Sequence, residues 1–309
     1  MGERSAASRA AFREARAERW NPAVLLLGSL VAACTSGHDA DGALERARRD
    51  GIRAGFSIEP PYAFVDSAGE PTGEAPEILR HVLGELEVAE VQWFPLPFHD
   101  LIPALLAGRV DVVASGLFVT PERSRQVRFS RPTACVGPVL VVRRDRFEGL
   151  VGEGAGKRCE PCRIAVIQAS VEERALARQS PSGAGMMAVP DLATAVAAVS
   201  EGTADALAIS APTARRIVAG DSALALEARS LPVQVAEDAR GCAALAFRPA
   251  DAELAGAVDS VLAAFVGSPE HLAVVAPFGF TEPELPCPEA SPAGPPPRLR
   301  SCYADRVPE

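Results

Sequence analysis

From Gly51 onward the apolar positions follow two alternating rhythms. Short unbroken apolar runs between turn residues predict buried strands at 52–56, 91–94, 110–114 and 138–142. Stripes spaced three and four apart predict amphipathic helices over 75–86, with Ile78, Leu79, Val82 and Leu83 on one face, and over 99–107, with Leu101, Ile102, Leu105 and Leu106. The rhythm restarts after the glycine-rich loop 152–156. Strands are predicted at 164–167 and 204–209, and helices over 172–179, 193–201 and 212–218. A strand at 242–247 and a long helix over 251–266 close the pattern. Two successive strand–helix sets predict an α/β protein of two lobes.

The ends of the chain read differently. Arg4, Arg9, Arg13, Arg16 and Arg19 form a basic leader, followed by an apolar stretch over 23–33 that is too short to span a bilayer. This is the layout of a secretory signal, so residues 1–33 read as a signal peptide. The stretch ends in Val31-Ala32-Ala33-Cys34, which resembles a bacterial lipobox. That resemblance implies cleavage before Cys34 and a lipid on its sulfur, tying the protein to a bacterial membrane in the periplasm or at the cell surface. A plain signal peptide with an incidental cysteine, or a signal anchor, is the alternative. Residues 34–50 read as a polar tether. Beyond Phe280 the composition turns to Pro, Glu, Ser and Ala, and 286–309 reads as a Pro-rich tail.

Composition narrows the class. In 309 residues, 31 Lys+Arg stand against 40 Asp+Glu, a formal net charge of −9, so no basic excess exists to neutralise nucleic-acid phosphates. Apart from Cys34 there are six cysteines: Cys135, Cys159, Cys162, Cys242, Cys287 and Cys302. An even number in an exported chain points to disulfides. Fifteen pairings are possible; the favoured set is Cys135–Cys242, Cys159–Cys162 and Cys287–Cys302. Cys159 and Cys162 have zinc-knuckle spacing, but no second pair and no nearby histidine accompany them, so no metal is expected. No cofactor is expected either.

Three stretches resemble bacterial solute-binding proteins of amino-acid-type ABC importers. They are Ile58-Glu59-Pro60-Pro61-Tyr62-Ala63-Phe64, the run from Phe98-His99-Asp100 to Gly108-Arg109-Val110-Asp111, and Ser115-Gly116-Leu117-Phe118-Val119-Thr120-Pro121-Glu122-Arg123 with Val127-Arg128-Phe129-Ser130 after it. The resemblance covers about residues 50 to 285. It implies a type II periplasmic-binding-protein fold, with 51–140 plus 243–285 as one lobe, 141–242 as the other, and a ligand cleft between them. It also implies a monomeric receptor that performs no chemistry and hands a small zwitterion to a membrane permease. With Cys135-Val136-Gly137, Gly241-Cys242 and Pro277-Phe278-Gly279-Phe280-Thr281-Glu282, the chain is most similar to ectoine- and 5-hydroxyectoine-binding proteins. The positions matching their ligand residues are Glu59, Tyr62, Phe98, Phe118 and Arg123.

The chemistry of these side chains suits such a ligand. A carboxylate is best held by the planar fork of an arginine, here Arg123, with backbone N–H groups from Gly116 to Thr120 as further donors. A delocalised ring cation is held by aromatic faces, here Tyr62, Phe98 and Phe118, while Glu59 accepts its N–H bonds. In the second lobe Gln168, Ser170 and Ser210 are candidates, the first two just ahead of a helix N-terminus. Typical α-amino-acid binders of the family carry an acid where this chain reads Ser210-Ala211-Pro212-Thr213. That departure disfavours an ordinary α-amino acid, although a polar amino acid or a betaine-like solute stays open. Each candidate also has a plainer reading: Arg123 as a surface partner of Glu122, Phe118 as core, Tyr62 and Glu59 as turn residues, Phe98 as a helix staple. A dehydratase-like enzyme on the same scaffold would need Glu59 or Glu172 as a general acid.

Overall fold

The computed structural model describes residues 42–145, 162–179, 185–220, 226–230 and 239–286. In chain order the elements are α1 (Ala43–Asp50), β1 (Ile52–Phe56), β2 (Phe64–Val65), β3 (Pro71–Thr72), α2 (Glu74–Glu85), β4 (Val91–Pro95), α3 (Leu101–Leu106), β5 (Val112–Val113), α4 (Pro121–Ser124), β6 (Arg128–Phe129) and β7 (Ala134–Val136). There follow β8 (Pro138–Arg143), β9 (Ile164–Ile167), α5 (Val171–Gln179), β10 (Met186–Val189), α6 (Leu192–Glu201), β11 (Ala206–Ser210), α7 (Ala211–Gly220) and β12 (Leu226–Ser230). The last are β13 (Gly241–Ala243), β14 (Ala246–Phe247), α8 (Ala252–Phe265) and α9 (Pro269–Val275).

Two five-stranded sheets result, ordered β4-β1-β5-β14-β6 and β10-β9-β11-β8-β12. In the first, β1 lies parallel to β4 and β5, with Ile52 opposite Val91 and Ala54 opposite Val112. In the second, β9 lies parallel to β10 and β11. The fourth strand of each sheet, β14 or β8, runs against both of its neighbours. The sheets therefore share one pattern of directions, and in each the reversed strand is the first one laid down after the chain crosses from the other lobe.

The stripe of α2 does what its spacing predicts, whereas in α3 Leu101 and Leu105 are buried, Ile102 is half-buried and Leu106 is left exposed. Ile78, Leu79, Val82 and Leu83 of α2 meet Leu254, Val258 and Leu262 of α8 in one core with Ile52, Ala54 and Val112. Full burial of each large side chain is worth about 1.5–3 kcal/mol. Another cluster joins Leu101 and Leu105 of α3 to Val113, and continues into Val141, Ala165 and Leu207 of the second lobe. Local signals set the ends: Asp191 accepts the Thr194 N–H at 2.8 Å to cap α6, and Gly202, at φ 78°, closes it.

Two chain crossings join the sheets, and they pair with each other. β7 leads out of the first sheet and β13 leads back, antiparallel to it, with Cys242 directly opposite Cys135. These cysteines form a disulfide, as the favoured pairing had it. Cys162 is also disulfide-bonded, to a partner outside the described residues. The crossover out falls at Gly137, ahead of position 140, because β8 belongs whole to the second sheet.

Other expectations need correction. The tether stops short of 50, because Ala43–Asp50 is the helix α1. Ala47 is buried there, Leu44 packs on the same core, and Arg48 donates through Nε to the Leu86 carbonyl at 3.0 Å. Its three apolar residues are too few among charges to show as a stripe. The strand expected at 242–247 breaks at Ala244, its halves serving the ribbon and the first sheet. Six strands were not predicted: β2, β3, β6 and β7, of two or three residues each, β10, a four-residue edge strand between Gly185 and Pro190, and β12, a half-polar edge strand. At the C-terminal end, the Thr281 backbone and hydroxyl both donate to Glu284, capping a short 3₁₀ turn, and Leu285 is buried. The leader, Cys34, Cys159, Cys287, Cys302 and the tail from 287 lie outside the described residues.

Candidate functional site between the two lobes

The first lobe contributes three loops. After β1, a tight turn is closed by the Glu59 N–H on the Ala63 carbonyl at 2.8 Å and the Tyr62 N–H on the Glu59 carbonyl at 2.9 Å. It sinks the Tyr62 ring to 2% exposure, edge-on to Phe118 (centroids 6.3 Å apart) and Phe280 (5.4 Å). After β5 the chain turns at Gly116, at φ 58°. A Cβ there would lie 2.5 Å from the Tyr62 ring, so both the left-handed backbone and the close approach demand glycine. Phe118 then bridges to Ala243, and the Val119 N–H donates to the Cys242 carbonyl at 2.8 Å, so this wall of the site is pinned to the disulfide ribbon.

Thr120 caps α4 by accepting the Arg123 N–H at 3.3 Å. The cap aims Arg123 inward, to 6% exposure. Its guanidinium donates to the Phe118 carbonyl at 2.6 Å and, across the gap, to the Ala169 carbonyl of the second lobe at 2.8 Å. It also lies over the Phe98 ring, 5.5 Å from the centroid. Phe98 therefore presents its face to Arg123.

From the second lobe, Ala169 sits at φ 63°, a strained position for a residue with a Cβ. Its N–H donates to Glu173 at 2.7 Å, and Ser170 caps α5 by accepting the Glu173 N–H at 3.0 Å. Gln168 is half-buried and fixed through its backbone N–H to the Val189 carbonyl. Its side chain makes no hydrogen bond with the other candidates among the described residues. Ser210, at the end of β11, donates to Thr213 at 3.1 Å, and Thr213 donates to Glu59 across the gap at 3.1 Å. Arg174 of α5 reaches Glu122 at 2.9 Å and Thr120 at 3.3 Å.

The structure thus gathers Glu59, Tyr62, Phe98, Gly116, Phe118, Thr120, Arg123, Ser170 and Ser210, and leaves Gln168 at the edge. Thr213 and Ala169 were not read from the sequence as contacts, and Glu172 was weighed only as an acid. Ser170 was the available signal for Glu172, since a cap at 170 places residue 172 in the first helical turn.

The gap is electrostatically unusual. Burial, then the charge of Glu172, push the Glu59 carboxyl up to about 8, while the Thr213 hydroxyl works the other way. Burial raises Glu172 to about 7 against the pull of Ser170, Arg123 and Arg174. Burial also lowers Arg123 to about 10, with Arg174 adding to the effect and Glu172 and Glu122 opposing it. The Tyr62 hydroxyl is buried beside Ser210 and makes no hydrogen bond of full geometry, and burial holds its pKa well above the usual phenol range.

Residues 52–277 match the family of bacterial extracellular solute-binding proteins, family 3. The chain belongs to that family. Solved structures place family 3 among the type II periplasmic-binding proteins, and the two α/β lobes here have that fold. The crystal structure of EhuB in complex with hydroxyectoine superposes with a TM-score of 0.69, at 27% identity, over 78% of this chain and 93% of that one. A probable amino-acid ABC transporter periplasmic-binding protein of Sinorhizobium fredii is 28% identical over 180 residues, 55% of this chain and 57% of its own. ABC transporter arginine-binding protein 1 of Escherichia coli is 29% identical over 125 residues, 40% of this chain and 48% of its own. The chain spans about half the length of the curated relatives it matches.

Proposed function

We propose that this family 3 protein is the receptor of an ABC importer, held to a bacterial membrane by a lipid on Cys34. In this reading it captures ectoine or 5-hydroxyectoine between its lobes and delivers it to the permease. The observation that carries the reading is that Arg123, bonded to the Phe118 carbonyl, and Glu59, in the turn that seats Tyr62, each reach the second lobe, at Ala169 and Thr213, beside the Tyr62–Phe118 ring pair. A buried guanidinium with donors to spare suits a ligand carboxylate, and Glu59 suits an amidinium. Tyr62 and Phe118 wall the space beside them, and the stretch Ser210-Ala211-Pro212-Thr213, where the resemblance implies that an α-amino-acid binder carries an acid, has none. EhuB, whose structure holds hydroxyectoine, supports the ligand class.

Capture follows from closure. Arg123 to Ala169, Thr213 to Glu59 and Arg174 to Glu122 all join one lobe to the other. Shutting the gap removes water and strengthens each charged contact on the ligand. The receptor breaks no bond in doing so.

Calorimetry against ectoine, 5-hydroxyectoine, glycine betaine, proline and L-arginine tests the reading. Ectoine or its hydroxylated form is expected to bind most tightly, and Arg123→Ala to weaken binding at least about a hundredfold through loss of a buried charge-assisted fork. Ectoine binding that survives Arg123→Ala overturns the carboxylate assignment. Mass spectrometry of the N-terminal peptide tests the lipid on Cys34. A second reading, a receptor for a cationic amino acid, is favoured by one observation: Glu172 is a second acid in the same gap.

A further inference from the structure

Helix α7 meets the first lobe at more than one place. Its own seat in the second lobe is set by the buried Pro212, Thr213 and Ala214. Thr213 donates to Glu59 in the ligand gap at 3.1 Å. Arg215 donates through one guanidinium nitrogen, Nη2, to the Gly279 carbonyl at 3.0 Å and to Glu284 at 2.7 Å. Arg216 lies over the Phe64 ring, 4.8 Å from its centroid. Phe64, Gly279 and Glu284 all belong to the first lobe, and none is among the groups proposed to touch the solute.

The receiving surface is fixed by the first lobe itself. Glu284 keeps only 12% of its side chain exposed. Its second oxygen is held by the Thr281 N–H at 2.9 Å and the Thr281 hydroxyl at 3.1 Å. Phe280 and Leu285 anchor the segment in the first-lobe core, and Phe280 meets the Tyr62 ring edge-on. Phe64 is braced by Phe278, with ring centroids 6.2 Å apart. An ion pair at a surface is worth little when both side chains must first be ordered. Here the carboxylate is ordered already, and the guanidinium finds a second acceptor beside it. Gly279 and Glu284 also lie beyond residues 52–277, the stretch that matches the family.

We propose that Arg215 and Arg216 are positioning residues for capture: with Glu284, the Gly279 carbonyl and Phe64 they form a latch that holds the lobes together outside the ligand gap. Every contact in it is between the protein's own groups, so the latch acts with or without a solute. It raises affinity by raising the fraction of protein whose lobes are already together, since apparent affinity scales with that fraction. This deepens the receptor reading and rests on capture between the lobes. Its action on the lobes themselves does not depend on which solute is captured.

The test pairs a measure of lobe separation with a measure of binding, on the full exported chain in detergent. Both arginines are exposed, so replacing them leaves the core intact. Nitroxides on Ser67→Cys, in the turn after β2, and Ala219→Cys, near the end of α7, occupy exposed positions on the two sides of the latch. Electron–electron resonance without solute is expected to show a short-distance population. Arg215→Ala or Arg216→Ala is expected to cut its ratio to the long-distance population by about three- to tenfold. Calorimetry with ectoine and 5-hydroxyectoine is expected to show binding weakened by the same factor. Arg215→Lys is expected to recover most of both losses, because one nitrogen serves both acceptors. The latch is overturned if the distance populations do not change, if they change while the affinity of a bound solute does not, or if Arg215→Lys does no better than Arg215→Ala. If the populations shift and neither solute binds, the latch stands and the ectoine reading falls. If a solute binds and the populations stay as they were, the latch falls and the receptor reading stands. If neither is seen, both fall.

Discussion

Arg123 shows how a single side chain was readable and where reading stopped. Its residue type marked it as the fork for a ligand carboxylate, with a surface pairing to Glu122 as the plainer reading, and it is buried. Its partners did not show, because one of them is the carbonyl of Ala169, and backbone acceptors carry no sequence signature. Phe98 was read as a face for a ligand cation, yet Arg123 occupies that face at 5.5 Å. Gly116 was read as a donor and proves to be the seat of Tyr62. Gly116→Ala is therefore expected to cost about 2–4 kcal/mol, combining a left-handed backbone with a clash against a buried ring. Urea denaturation measures it, and a loss below about 0.5 kcal/mol would show that Tyr62 moves aside freely.

At the scale of elements, periodicity served where stripes were long. α2, α6 and α8 follow their apolar spacing, whereas α1 and β12 escaped notice because their buried residues are few and their neighbours packed against them are distant in sequence. α2 also carries a cost. Glu74, its first residue, is fully buried with both carboxylate oxygens lacking a hydrogen-bond partner among the described residues. Burial raises it to about 7 from an ordinary 4.5, opposed by Thr133. The folded state then holds this proton more tightly than the unfolded chain. The group imposes no penalty below about pH 4.5, and the penalty grows as pH rises toward 7 and levels off beyond. Glu74→Gln is accordingly expected to hold its melting temperature better than the parent between pH 5 and 8 (roughly the span of that titration). Parallel melting curves for parent and variant across that range would refute the assignment.

For the whole molecule, two lobes were legible from the restart of the strand–helix rhythm. That both sheets share one order of directions was not, since it depends on which strand follows each crossing. The ribbon of β7 and β13 is the place where the two lobes are made one. Its disulfide closes a loop of 107 residues. Replacing Cys135 and Cys242 by alanine is expected to lower stability by about 2–4 kcal/mol, and chain-entropy reasoning sets about 4.7 as the upper figure for a loop of this size. Thermal or urea unfolding of the double variant measures it, and an unchanged midpoint would mean that the noncovalent ribbon alone suffices.

That bond lies between the paired crossings and ties them in register. Phe118 is fastened to the same axle through Ala243 and Cys242. If the lobes close on a solute as proposed, the second lobe comes to an aromatic wall already seated on the ribbon.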